Sequence, residues 1–155
     1  MAQINTDKTQ KNICENQCNM YDVKNKDMTE NEISYAIRGA IFKVYNELGA
    51  GLFESVYEAA LIYQLLKDEL EVKSQVPIPV CYDEQQLDVG FRLDILVEDK
   101  VIIEIKSVEE LSKVHHKQIL TYLKLTKLKL GLLVNFNSDD ISKTIFRKIN
   151  TNEKI

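Results

Sequence analysis

The chain is poor in residues that break or staple a polypeptide. Five Gly and two Pro among 155 residues exclude collagenous and proline-rich low-complexity architectures. Its apolar runs are only a few residues long, too short to cross a bilayer as a helix. The opening MAQINTDKTQKNICENQC carries no apolar stretch of the signal-peptide kind. The expected location is the cytoplasm, with no membrane partner. Cysteine is scarce and odd in number: Cys14, Cys18 and Cys81. Without a secretory signal that count points to reduced thiols. Cys14 and Cys18 have no second Cys pair or nearby His to complete a zinc site and read as unpaired thiols on a polar tail.

What is present is the balance of a globular protein, 45% hydrophobic and 28% charged. A chain of this length buries a core without disulfides or a structural metal. The net charge of −4 speaks against strong non-specific nucleic-acid binding, but it is unevenly spread. From Lys100 onward there are 11 basic and 6 acidic residues; the first 99 residues hold 9 basic and 18 acidic. Between Leu111 and Ser138 no acidic residue occurs, while Lys113, Lys117, Lys124, Lys127 and Lys129 do. This asymmetry either steers a polyanion to one face or is a solvated helix face.

Residues 1–27 are polar and without apolar period, and are expected to be a disordered tail. A domain is expected over 28–150, followed by a short polar end over 151–155. Thr29 with Glu32 has capping-box spacing, and Ile33, Ile37, Ala40, Ile41, Val44 and Leu48 follow at helical period. The pattern predicts a helix over about 30–48, closed by Gly49 in the left-handed conformation. After the Gly49-Ala50-Gly51 hinge, a second helix is predicted from Phe53 to Leu70, with Val56, Tyr57, Ala60, Leu61 and Leu65 on one face. Val72 to Tyr82 contains Pro77 and Pro79 at alternate positions, the mark of an edge strand or an irregular one. Residues 83–86 are the expected turn. Strands are predicted over 89–97 and 101–106, a helix over about 109–126, a buried strand over 129–136, and a short last strand, or alternatively a helix, over 144–149. The fold class is α+β, an α/β sandwich in the order α-α-β-β-β-α-β around a small mixed sheet.

The hairpin at 89–108 sets like charges face to face. With Asp99 at the centre of its turn, Leu93 opposes Ile105, Ile95 opposes Ile103 and Val97 opposes Val101, apolar on apolar. The same register sets Asp94 opposite Glu104 and Arg92 opposite Lys106. Opposed like charges cost stability. Two carboxylates with a Lys on the same face suit a hard divalent cation such as Mg²⁺. The alternative is an exposed sheet face whose charges neutralise diagonally, Asp94 with Lys106 and Glu104 with Arg92.

Asp94 followed by Glu104-Ile105-Lys106 resembles the core of the PD-(D/E)xK nuclease superfamily, with Leu93 where the name has proline. Gly51-Leu52-Phe53-Glu54-Ser55-Val56-Tyr57 resembles the signature of the bacterial GxxExxY proteins placed in that superfamily. Gln118 to Tyr122 resembles the Q-x-x-x-Y helix motif of its recombination-type exonucleases, and His115 and LGLLVNF also fit. The resemblance spans roughly 30–150 and implies a restriction-endonuclease-like core. It implies Mg²⁺ or Mn²⁺ as cofactor, held by Asp94, Glu104 and Glu54, and DNA as substrate. Lys106 would orient water and stabilise charge as a catalytic residue with Glu104, Asp94 and Glu54. Gln118, Tyr122, Tyr57, His115, Lys113 and Lys117 would meet substrate, with Lys124 as a further phosphate contact; the alternative is core packing for Tyr57 and Tyr122 and a polar surface position for His115. Glu58 reads as a solvated helix residue. The competing function is a non-catalytic nucleic-acid- or protein-binding module on a nuclease-like fold. A protein partner or homodimer would then supply what an acidic chain lacks.

Overall fold

The computed structural model describes residues 27–152. The expected tail, with Cys14 and Cys18, lies outside the described residues except for Asp27, whose carboxylate pairs with Lys100. Helix α1 spans Glu30–Leu48. Its start is chemically fixed: Thr29 N–H donates to Glu32 Oε2 (2.9 Å) and Glu32 N–H to Thr29 Oγ1 (3.3 Å), reciprocal capping of otherwise unpaired donors. Ile33, Ile37, Ala40, Ile41 and Val44 are buried as the period requires, whereas Leu48 is exposed. Gly49 has φ 68° but ψ −168°. It therefore leads the chain into an extended path instead of closing the left-handed cap expected of it.

Helix α2 spans Glu54–Lys67, three residues shorter than expected at its C-terminus. Glu69 has a φ of 64°, and Leu70 N–H closes back on Leu65 O at 3.1 Å. Tyr57, Leu61 and Leu65 are buried; Val56, expected beside them, is exposed.

Strands β1 (Val72–Tyr82) and β2 (Gln85–Val97) form a long antiparallel hairpin. Its turn is only Asp83-Glu84, both at positive φ (48° and 62°). That two-residue geometry matches strand twist and leaves Gln85 and Gln86 paired in β2 instead of in the turn. Strand β3 (Val101–Lys106) returns against β2, α3 (Lys113–Thr126) crosses over, and β4 (Leu130–Asn135) lies parallel to β3. After a 3₁₀ turn at Ile141–Lys143, β5 (Ile145–Ile149) pairs antiparallel with β4. Residues 109–112, expected at the start of α3, are outside the helix.

The sheet order is β1-β2-β3-β4-β5, so β1 with its two prolines is an edge, where missing N–H groups cost no ladder bond. The fold is α+β, with a five-stranded mixed sheet and three α-helices among the described residues. Helices α1 and α2 pack on one face, over Ile95, Val97, Val101, Ile103 and Ile105. Helix α3 covers the other through Tyr122 and Leu123, over Ile102 and Leu96. Strand β3 is thus buried on both sides, the usual fate of a strand in a covered parallel pair.

The hairpin's close pairing yields a direct prediction. A Cβ on Gly90 would fall 2.4 Å from the Ile78 carbonyl oxygen, a backbone clash that no rotamer relieves. Gly90→Ala should cost about 1–3 kcal/mol, as overpacking does, and strip hydrogen-exchange protection from 78–91 first. Wild-type exchange in that variant would mean that the strands separate freely there.

Candidate functional site

The expected hairpin register holds where the strands are closest: Ile95 pairs Ile103, Leu96 pairs Ile102 and Val97 pairs Val101. It stops at Asp94. There the carboxylate itself takes the Ile105 N–H, Oδ2 accepting at 2.8 Å. Asp94 thus lies between the strands and not simply across from Glu104. On the other side, β1–β2 pairing runs from Ser74–Ile95 to Val76–Leu93 and skips Gln75 and Asp94. Gln75 has a φ of 52°. This double irregularity turns the strand, so Leu93 packs with Ile78, Ile102 and Tyr122 and not on the face of Ile95 as expected.

Glu104 alternates with Ile103 and Ile105 and so faces α3. It is 2% exposed. Its Oε1 accepts from Lys106 Nζ at 2.9 Å, while Oε2 is buried with no hydrogen-bond partner among the described residues. The diagonal pairing considered from sequence, Glu104 with Arg92, does not form; Lys106 takes its place. Burial, and then the charge of Asp94, push the Glu104 carboxyl up to about 7 despite Lys106. Burial also raises Asp94 against the Ile105 hydrogen bond and the Lys106 charge, with Glu58 and Glu54 adding to it. For Lys106, burial pulls down, but Glu104, Asp94 and Glu54 outweigh it and raise the ammonium above its ordinary value. An ion pair so arranged leaves more carboxylate than ammonium in one dry place.

Glu54, the first residue of α2, is exposed, and its Oε1 accepts the Ser107 N–H at 3.1 Å. Ser107 Oγ in turn donates to Leu52 O at 2.6 Å. The loop before α2 is therefore fastened to the residue after Lys106. Lys106 O accepts from Phe136 N–H, and Asn135 clasps Val108 through both ends of its amide, at 3.0 and 2.8 Å. Sequence reasoning misses Asn135; a polar residue ending a fully apolar strand is its only signal.

Tyr122 is nearly buried, and its hydroxyl accepts from Gln118 Nε2 at 2.6 Å. Burial raises its phenol, and it lies within electrostatic reach of Glu104, Lys106 and Asp94. The two helix residues thus border the carboxylates. Other expected site residues have partners or positions of their own. Tyr57 does not reach them: it stacks on Phe136 (4.3 Å between ring centres, 8°). Its hydroxyl donates to Gly49 O (2.6 Å) and accepts from Leu52 N–H (3.1 Å), bracing the hinge. His115 spends Nδ1 on the Ser112 N–H at the start of α3 (3.2 Å). Lys113, Lys117 and Lys124 are exposed on α3 and make no ion pair with the described residues. Glu58 is not merely solvated: it accepts from Gln75 Nε2 (2.7 Å) and raises Asp94. Its spacing of four from Glu54, which stacks the two along one helix face, is the available signal.

Residues 31–148 match the PD-(D/E)XK nuclease superfamily, and that span takes in every side chain just described. The chain belongs to this superfamily. No curated protein and no solved structure gives a significant match. Nucleases of the PD-(D/E)XK superfamily generally use divalent metal ions, and the donors here can be weighed against that habit. Glu104 Oε2 has no partner, and Asp94 and Glu54 each commit one oxygen to a backbone N–H. Among the described residues no three His, Cys, Asp or Glu side chains close around one point, so the expected trio of Asp94, Glu104 and Glu54 is not a complete cage. An acidic, all-oxygen set with an unpartnered buried carboxylate oxygen fits a hard cation that keeps several waters. No helix among the described residues is long and apolar enough to cross a membrane.

Proposed function

We propose that this superfamily member is a Mg²⁺- or Mn²⁺-dependent nuclease of the GxxExxY type that hydrolyses DNA phosphodiesters in the cytoplasm. One observation carries the reading: Glu104, 2% exposed, holds an unpartnered oxygen while its other oxygen meets Lys106 at 2.9 Å. A buried carboxylate oxygen left without a hydrogen bond is costly, and packing gives no reason to keep it. Asp94 and Glu104 would hold the cation, with Glu54 reaching it through water. When bound, it supplies the positive charge that polarises a phosphodiester and acidifies water. Lys106 stabilises the negative charge that develops on the reacting phosphate. Tyr122, positioned by Gln118, supplies a hydroxyl within electrostatic reach of the same charged groups. The test is degradation of labelled DNA by purified protein in Mg²⁺ or Mn²⁺, with Lys106→Ala as control. Loss of DNA only in the metal-containing wild-type reaction supports the proposal; equal loss in both proteins overturns it.

A second reading is favoured by the missing third ligand: a non-catalytic binding module that retains the acidic site. The lysines of α3 serve either reading by meeting phosphates. Replacing Lys113, Lys117 and Lys124 together by Gln should weaken DNA binding and lower the slope of log K against log salt by up to about three, near one per lost phosphate contact. An unchanged salt slope would remove α3 from the interface.

A further inference from the structure

Phe53 stands where a helix normally places Ser, Thr, Asp or Asn. It is the N-cap of α2, its side chain caps nothing, and its ring is 83% exposed. A capping oxygen would satisfy a free N–H of the first turn; a phenyl group does not, and its exposure forgoes the burial such a ring normally seeks. Leu52, not Phe53, holds the preceding position from which a residue can staple onto the fourth residue of the helix, Tyr57. Local folding therefore gives no reason for this ring.

Its surroundings do. The ring sits between two residues fixed to the end of β3: Leu52 O accepts from Ser107 Oγ and Glu54 Oε1 from Ser107 N–H. Leu52 N–H is held by the Tyr57 hydroxyl as well. Phe53 is thus presented on an anchored loop, in a recess of about 420 Å³ lined by Leu52, Phe53, Glu54, Ser55 and Ser107. That recess begins one residue from Lys106. A second ring, Phe91, is 44% exposed and leans on Tyr122 at 5.5 Å. It lies three residues before Asp94. Glu54, next to Phe53, acts electrostatically on Asp94, Glu104 and Lys106, as those groups do on Tyr122, the ring that Phe91 meets, so an accessible aromatic residue adjoins the neighbours of the charged centre on both the α2 side and the β2–α3 side.

We propose that Phe53 is a base-stacking residue, and that the substrate of this site is single-stranded or end-frayed nucleic acid whose exposed base rests on the ring beside the reacting phosphate. The proposal rests on the nuclease reading above and narrows its substrate. Bases within an intact duplex are already stacked and offer no free face; an unpaired base does, and aromatic platforms take it with little regard to sequence.

The protein has no tryptophan, so Phe53→Trp installs a single fluorescent reporter. Binding is followed in Ca²⁺ by anisotropy of a labelled oligothymidylate and of a blunt duplex of equal length, with indole emission of the Phe53→Trp variant read in parallel. Oligothymidylate should quench that emission over the same concentration range in which anisotropy rises, and the duplex should not. Phe53→Ala should weaken single-strand binding about 5- to 150-fold, the range that corresponds to loss of one base–aromatic stack, and Phe53→Leu, apolar but without a π face, should fall with it. Duplex affinity should change far less. Binding that leaves the indole emission unquenched, or wild-type single-strand affinity in Phe53→Leu, overturns the stacking role and leaves the nuclease reading intact. If wild type binds and cleaves no nucleic acid, both fail. Loss of self-association in Phe53→Ala with nucleic-acid affinity unchanged would assign the ring to protein contact and overturn the proposal.

Discussion

Lys106→Ala should slow single-turnover DNA cleavage by on the order of 10²–10³ while affinity for the same DNA in Ca²⁺ stays close to wild type. The separation follows from position. Lys106 is largely buried against Glu104, so it adds little to long-range attraction, which falls to the exposed lysines of α3. The variant also leaves Glu104 without the cation hydrogen-bonded to it, which raises that carboxyl further and keeps more of it protonated near neutrality. The deficit should therefore be greater near pH 6 than near pH 8. Rapid-quench cleavage across that range checks it. Cleavage as fast as wild type would make Lys106 a neutralising neighbour and favour the binding-module reading.

Metal-free protein should lose stability as pH rises from about 5 to 8, opposite to the common trend for salt-bridged carboxylates. Glu104 has a folded pKa of about 7 against an ordinary 4.5. Between those values the folded state holds the proton more tightly than the unfolded state. The stability this confers is fully present below about pH 4.5 and is lost as pH rises through 7. The span corresponds to about 3 kcal/mol at most, and Asp94, also raised, acts in the same direction. Lys106, raised from an already high value, does not titrate in this window. Glu104→Gln should flatten the slope and melt several degrees higher than wild type near pH 8. Millimolar Mg²⁺ or Mn²⁺ should restore wild-type stability by mass action and leave Glu104→Gln nearly unmoved. A melting temperature indifferent to both pH and metal would exclude the cation from this site.

Much of the frame is written in local sequence. Helix α1 begins at Glu30 and ends at Leu48 because Thr29 and Glu32 cap it and the apolar period runs out at the glycine hinge; neither needs a distant partner. The β2–β3 register from Ile95 to Val101 is likewise local, since a short turn and an apolar face leave one alignment. The buried apolar run of β4 is legible as well, whereas the β5 segment reads as strand or helix until its pairing with β4 decides it.

The site is a different matter. Sequence brings Asp94, Glu104 and Lys106 to neighbouring strands, but as an exposed, flat pair. Only the packed molecule covers that face with α3, which turns Glu104 into a buried carboxylate and shifts its titration. Only the break in two ladders at Gln75 and Asp94 frees the Asp94 carboxylate to take the Ile105 N–H. Tyr57 and Glu58, adjacent in sequence, turn to different surroundings. The core claims the tyrosine through Phe136, while the glutamate turns toward Gln75 and Asp94. Periodicity tells which residues share a helix face, but not what lies opposite. Local patterns determined which elements form and in which register; desolvation, a long-range consequence of how the layers close, decided which of the charged groups became unusual.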